Sequence, residues 1–304
     1  MPALITHRLF GEESIDRLPA GIITTDEERI AFLLANQGPD PFFFRVRTLE
    51  LGDCMKLAQQ MHKCRMSAQF EAIRDGVSRL NKADAGVGRA FALGLLSHYA
   101  LDRNAHPFVY DQQWGIMDAE PSLAKQGSSV HAVIESDLDV LMLQLKRDGA
   151  TCADYPPAGE IVTTDRIDKV AGALMSHVAT KVYRLKVVAS EYAGAVRDMK
   201  LLYKAIEPAG SPLTHAHSML SGLAHPVTET MPLSAGNMAH SSWTNPFTQE
   251  PSRASFPEIF DFALDDYAQI AAQFVQGADL ADITCHVNYS GRPLGDAEEF
   301  EGEE

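Results

Sequence analysis

The segment GLLSHYALDRNAHPFVY constrains this chain more than any other part of its sequence. It spaces His98, Asp102 and His106 four residues apart, inside the most apolar predicted helix of the chain. Four residues advance an α-helix by about 40° beyond a full turn, so the three side chains share one broad face. That face also carries apolar residues and points into a core, where such groups must be paired, hydrogen-bonded or bound to metal. A single histidine would indicate core structure; three ligand-type residues at this spacing favour a metal site.

A second segment, HAVIESDLD, carries the same kind of pair. His131 and Glu135 are four residues apart on a helix whose other inward residues are aliphatic. Such a pair alone is weak evidence, because many solvated helix faces contain one. Beside the first segment it indicates a second half of the same site. Imidazole and carboxylate ligands suit zinc, and the absence of thiolates from the motif favours a catalytic over a structural site.

Three further residues are candidates by position. Asp40 lies in the turn NQGPDPFFF, His62 lies on a long amphipathic helix, and His7 follows a short apolar stretch with no evident helix. Each has an ordinary interpretation when taken alone, as a turn residue or a partly exposed histidine. The three phenylalanines after Asp40 are interpreted as core.

Helical periodicity dominates the chain, and no run alternates as a strand does. The fold class predicted is therefore all-α, a bundle of many helices. The predicted helices span 26–35, 51–80, 87–105, 128–147, two stretches between 164 and 207, and 256–276. The third is expected to end before Pro107, because proline disfavours helix in the residue that precedes it.

The chain is predicted to form one helical domain over residues 1–290. The metal site lies within 1–145, and residues 150–290 complete the bundle and include an irregular excursion at 208–257. Residues 291–304 are rich in acidic side chains and are predicted to be a disordered tail. The histidines of the excursion are interpreted as surface residues; they are His215, His217, His225 and His240.

Composition narrows the choice of function. The net charge of -15 argues against a protein that binds nucleic acid stably through a broad basic surface. It leaves open an enzyme that binds one phosphate through metal ions. The four cysteines form no CxxC pair, and no secretory signal or apolar run of roughly 20 residues is present. A cytoplasmic protein with reduced thiols is therefore expected, and the oligomeric state stays open.

The order and spacing of these residues resemble the zinc-dependent phospholipase C family, a helical superfamily that also includes single-strand nucleases. The resemblance covers residues 1–145. It implies two zinc ions, the first held by Asp40, His62, His98 and Asp102, and the second by His106, His131 and Glu135. It implies a third at His7 and Asp102, completed by the amine of Pro2 after removal of Met1.

The resemblance also implies an activity. The chain is expected to be a metal-dependent hydrolase that cleaves phosphodiesters with metal-activated water, and Asp40 is expected to orient or deprotonate that water. Phospholipid is one candidate substrate. Two alternatives stay open: a nuclease or nucleotidase that uses the same zinc cluster, and a metal-binding scaffold without turnover.

Overall fold

The computed structural model describes residues 4–207 and 222–301, and nearly all its regular structure is helical. The elements are α1 (Leu4–Ile15), α2 (Asp26–Ala35), α3 (Leu51–Lys63), α4 (Met66–Ser78), α5 (Ala85–Ala119), α6 (Gly127–Lys146), α7 (Pro157–Glu160), α8 (Asp165–Lys181), α9 (Ser190–Ile206), α10 (Phe256–Gln276) and α11 (Leu280–Thr284). Short 3-10 helices span Asp40–Phe44 and Pro121–Leu123, and a π-turn spans Ala297–Glu301. The all-α prediction is confirmed.

The 35-residue helix α5 is the axis of the molecule. It is about 52 Å long, and it packs chiefly against α2, α10 and α6. Gly94 permits the close approach of α2, because a Cβ atom there would lie 2.2 Å from the carbonyl oxygen of Phe32. The helix is therefore enclosed along most of its length, and any polar group on its inner faces is removed from water.

Helix α5 continues past Pro107, where the sequence predicted its end. Proline has no N–H for the carbonyl of Arg103, and an internal proline costs a helix about 3 kcal/mol. The residues on either side, among them Phe108 and Val109, are buried in the core. Their packing offsets the local penalty, so the helix runs on to Ala119.

The predicted helix 51–80 is two helices, because the chain turns at Arg65. That residue has φ 59°, in the left-handed region. The next helix, α4, begins with the backbone N–H groups of Met66 and Ser67 donating to the Glu299 carboxylate, at 3.0 Å and 2.8 Å. The cap of α4 therefore comes from the far end of the chain, and no local pattern could indicate it.

The same contact corrects the prediction of a disordered tail at 291–304. Glu299 is 2% exposed, and Arg292 pairs with Glu298 at 2.6 Å. The described part of this segment is held against α4. The tail prediction is therefore wrong for residues 291–300.

Helix α1 was missed by sequence reasoning, which found no helix for His7. Its first turn is capped by a residue of α6: the N–H groups of Ile5 and Thr6 donate to the Asp139 carboxylate, at 2.9 Å and 2.7 Å. The helix is buried on most of its circumference, so it has little hydrophobic periodicity. A distant cap and burial on several sides explain the missing sequence signal.

His225 was predicted to lie on the surface, and that prediction is wrong because it is 2% exposed. Its Nε2 lies 2.9 Å from Asp139 Oδ2 and its Nδ1 lies 2.7 Å from Glu207 Oε1. Burial alone would lower the pKa of His225, but hydrogen bonds to both carboxylates raise it to about 9. The ring also stacks on Tyr203, and burial with the charges of Asp139 and Glu207 raises the pKa of the neighbouring Cys152 thiol to about 12. His225 is thus a buried imidazolium between two carboxylates.

The described part of the excursion, 222–257, contains one small antiparallel hairpin, β1 (Trp243–Thr244) with β2 (Pro251–Ser252). Trp243 packs edge-on against Phe108 of α5, with ring centroids 5.4 Å apart. The side chain of His240 is 50% exposed, as expected for a surface histidine. The other two histidines predicted on the surface, His215 and His217, lie outside the described residues.

Among the residues that the structure describes, no helix has both the length and the apolar character needed to cross a membrane. The cytoplasmic location and the single domain over residues 1–290 stay predictions. Residues 302–304 of the predicted tail lie outside the described residues.

The buried imidazolium makes folding stability depend on pH. The pKa of His225 is about 6.5 in an unfolded chain and about 9 in the folded protein. Its stabilising contribution is therefore complete below pH 6.5 and is lost as pH rises through about 9. We expect His225→Gln to lower the free energy of unfolding by about 3 kcal/mol near pH 6.5, and by much less above pH 9.

Urea unfolding of both proteins over a series of pH values measures this difference. Titrating groups that do not contact His225 are common to the two proteins and cancel. A difference that stays constant from neutral to alkaline pH would contradict the assignment of His225 as an imidazolium.

Candidate metal centre

Asp102, at the middle of α5, is surrounded by four imidazole rings. Its Oδ1 lies 3.0 Å from His7 Nε2, and its Oδ2 lies 3.3 Å from His98 Nε2. The same Oδ2 lies 3.8 Å from His106 Nδ1 and 3.9 Å from His62 Nε2. Asp102 is 5% exposed. The helical spacing predicted from the sequence does bring its three residues of α5 onto one face.

Asp40 joins this group from the 3-10 helix that follows α2. Its Oδ1 lies 3.1 Å from His62 Nε2, and the residue is 2% exposed. The turn before it passes directly over the His98 ring: a Cβ atom on Gly38 would lie 2.3 Å from His98 Cδ2, and Gly38 has φ +55°. Only glycine fits this position, for both its backbone conformation and its contact.

The second cluster lies between α5 and α6. Glu135 Oε1 lies 3.1 Å from His131 Nε2 and 3.5 Å from His106 Nε2. All three residues are buried or nearly so. His106 faces Asp102 with one ring nitrogen and Glu135 with the other, so the two clusters are contiguous.

All eight residues predicted for the site thus lie together. Within the described residues, three sets have ligand atoms within 4.8 Å of one another: His7, Asp40 and His98; His62, His98 and Asp102; and His106, His131 and Glu135. The last set has the same members as the second zinc site implied by the sequence. The first two overlap at His98 and together contain the four residues of the first implied site. Pro2, expected to complete a third site, lies outside the described residues.

The histidines are held by acceptors that sequence reasoning could not assign. Four of the five use Nδ1 for this contact, which in a neutral ring with the proton on Nδ1 leaves the Nε2 lone pair directed at the cluster. The contacts are His62 Nδ1 to Ala58 O (2.7 Å), His98 Nδ1 to Asn36 O (2.9 Å), His106 Nδ1 to Tyr289 O (2.8 Å) and His131 Nδ1 to Gln113 Oε1 (2.8 Å). A donor set oriented in this way is what a zinc site requires.

Tyr289 is a further site residue that the sequence did not indicate. Besides its carbonyl contact to His106, its ring lies 4.9 Å from the His62 ring and 5.6 Å from the His98 ring, centroid to centroid. It is fully buried. It follows α11 in a segment with no motif, so only the folded chain brings it to the site.

The three carboxylates of the site are ionised in the protein. Burial would raise the pKa of Asp102, but the charges of His98 and His106 hold it well below its usual range. Burial likewise opposes ionisation of Asp40 and Glu135, yet hydrogen bonds and charges from the histidines lower the pKa of both. The site therefore concentrates negative charge in a buried space, which suits a bound cation.

The histidines divide into two groups. Burial lowers the pKa of His7 and of His131, which favours the neutral ring that binds metal. Burial would also lower the pKa of His98 and His106, but the nearby carboxylates raise it, for His106 to about 9. A raised pKa favours the imidazolium form of these two rings, whose positive charge compensates the carboxylates as a bound metal would. The residues present thus fit zinc in their donor types, burial and charge.

A model of the zinc-dependent phospholipase C family matches residues 6–183, which is more than half of the chain. The chain belongs to the zinc-dependent phospholipase C family. This confirms the resemblance recognised in the sequence. Searches of the curated proteins and of the solved structures found no match. The matched range contains every predicted site residue from His7 to Glu135, whereas His225 and Tyr289 lie beyond it.

The central position of Asp102 makes its charge essential for metal binding. We expect Asp102→Asn to lower the zinc content by about one ion per chain, because the amide has no charge and is a poor ligand. Elemental analysis of purified protein after dialysis measures the content. Asp111→Asn, the same change farther along α5, is the matched control and should leave it unchanged. Equal zinc contents in the unmodified protein and in both variants would show that Asp102 holds no metal.

Proposed function

We propose that this chain is a zinc-dependent phosphodiester hydrolase. The observation that carries the proposal is the buried group of three carboxylates and five histidines, four of them oriented through Nδ1. The residues proposed to hold zinc are His7, Asp40, His62, His98, Asp102, His106, His131 and Glu135. Membership of the zinc-dependent phospholipase C family supports the same conclusion.

The proposed ions divide as the two clusters do. One zinc would be held by Asp40, His62, His98 and Asp102, a second by His106, His131 and Glu135, and a third near His7. Bound zinc supplies positive charge to the phosphate oxygens and lowers the pKa of water, which is the chemistry that phosphoester cleavage requires.

Asp40 is the proposed general base. Its pKa lies below its usual range despite its burial, so the carboxylate is ionised and able to accept a proton. The Nε2 atom of His62 lies 3.1 Å from its Oδ1, a separation at which one zinc ion would bind both atoms. Asp40 would thereby orient the attacking water and take its proton.

The geometry favours small phosphodiesters or phospholipids over long nucleic acid. An aromatic group of Tyr110, Trp114 and Phe247 extends from the His131 ring, with the Tyr110 and His131 centroids 5.3 Å apart. Such rings could pack against an apolar group or a base. Three arginines that are close to site residues in the sequence are engaged with carboxylates: Arg45 with Glu191 and Asp198, Arg47 with Asp198, and Arg103 with Asp266. They are poorly placed to bind a phosphate backbone, which the net charge of -15 would also repel.

The activity is tested with purified protein and bis(p-nitrophenyl) phosphate. We expect turnover that is abolished by a chelator and restored by added zinc. Asp40→Asn should lower kcat by a factor of about 10² to 10⁴, since the amide accepts no proton. Asp111→Asn is again the control and should keep the activity of the unmodified protein.

A parallel panel distinguishes the alternatives. Phosphatidylcholine in mixed micelles, a short single-stranded oligonucleotide and a nucleoside monophosphate are compared under the same conditions. Faster cleavage of the oligonucleotide or the nucleotide would favour the nuclease or nucleotidase alternative. Bound zinc without turnover of any substrate would support the scaffold alternative and contradict the proposal.

A further inference from the structure

We propose that Asp139 and His225 are a positioning pair that sets the place of His7 in the metal centre by capping the first turn of α1. This inference rests on the proposed function, since it assigns a role toward the zinc ligands. Neither residue belongs to the ligand set, and His225 lies outside the range matched by the family.

Asp139 of α6 caps the first turn of α1. Both carboxylate oxygens of Asp139 are used: Oδ2 accepts from the N–H of Ile5 and Oδ1 accepts from the N–H of Thr6. Asp139 is fully buried. A carboxylate at a helix N-terminus binds the free amides and also interacts favourably with the helix dipole. Asp139 therefore fixes both the start of α1 and its direction.

The same cap connects two helices that carry proposed zinc ligands. Asp139 lies one turn after Glu135 on α6, and Thr6 directly precedes His7 on α1. One residue thus ties the helix that carries His7 to the helix that carries Glu135. Movement of α1 relative to α6 would move His7 away from Asp102.

The ring of His7 is held differently from the rings of the other four site histidines. The other four site histidines have an acceptor at Nδ1, but His7 Nδ1 is buried without a hydrogen-bond partner among the residues described. Its ring stacks on the His98 ring at a centroid distance of 4.2 Å, a contact that restrains the ring without fixing it along the stacking plane. The position of His7 therefore depends on the backbone of α1, which Asp139 holds, whereas the other four histidines are positioned by their Nδ1 acceptors.

His225 holds the Asp139 carboxylate in place. Its Nε2 donates to Asp139 Oδ2, and Glu207 accepts from both its Nδ1 and its backbone N–H, at 2.7 Å and 3.0 Å. Burying a carboxylate is costly unless hydrogen bonds and an opposite charge replace the lost water. The imidazolium supplies both and holds the carboxylate in the orientation that caps α1.

A helix cap can stabilise the fold without positioning a ligand. A double-mutant cycle distinguishes stabilisation of the fold from positioning of His7. The variants are Asp139→Asn, His7→Gln and their combination, with zinc affinity measured by competition with a chromogenic chelator. We expect Asp139→Asn to weaken the weakest zinc site about 10- to 100-fold, the range known for outer residues of metal sites, and His7→Gln, which removes a proposed ligand, to weaken it at least as much. In the His7→Gln background, Asp139→Asn should add less than a twofold loss, because its effect passes through His7.

Hydrogen exchange of the metal-free proteins gives a readout that is independent of zinc and of activity. Asp139→Asn should speed exchange of the first-turn amides of α1 at least about tenfold, and leave α8 and α10 unchanged. His225→Gln should act in the same direction. His177→Gln is the matched control: it removes another histidine paired with a carboxylate, Asp75 at 2.9 Å, and should change neither readout.

Losses of zinc affinity that multiply in the double variant, or unchanged exchange in α1, overturn the positioning role while the proposed function stands. Failure of the unmodified protein to bind zinc overturns the proposed function and this inference with it. If Asp139→Asn does not fold, His225→Gln replaces it in the cycle and is held to the same result.

Discussion

Asp102 carries a negative charge at the middle of a helix that is enclosed by its neighbours. Removing a carboxylate from water is costly unless cationic groups or hydrogen bonds compensate. Four imidazoles do so here, and they arrive from three different helices: His7 from α1, His62 from α3, and His98 and His106 from α5 itself. One buried charge thus brings side chains of α1 and α3 to α5, and zinc would satisfy the same requirement more strongly than protons.

The groups that orient the ligands are spread over the chain more widely than the ligands. The acceptors for the histidine Nδ1 atoms include backbone carbonyls at Asn36, Ala58 and Tyr289. The last of these lies beyond the range matched by the family, as does His225. The C-terminal part of the chain thus completes the site, although it contributes none of the proposed ligands.

The sequence was informative where the relevant contacts are local. The four-residue spacing of His98, Asp102 and His106 is a property of one helix, and it located the centre of the site. It failed where a helix start depends on a distant carboxylate, as α1 depends on Asp139 and α4 on Glu299. Sequence reasoning also failed where tertiary packing overrides a local signal, as in the continuation of α5 through Pro107. It failed again at His225, which lies in a loop-rich segment but is buried against Asp139 and Glu207.

The proposed function requires that the two contiguous clusters, around Asp102 and around Glu135, hold zinc. Crystals of the protein grown with zinc, with diffraction data collected on both sides of the zinc absorption edge, test it most directly. The account predicts anomalous peaks at two places at least, one between Asp40, His62, His98 and Asp102, and one between His106, His131 and Glu135. Crystals that show no anomalous peak among these eight side chains would contradict it.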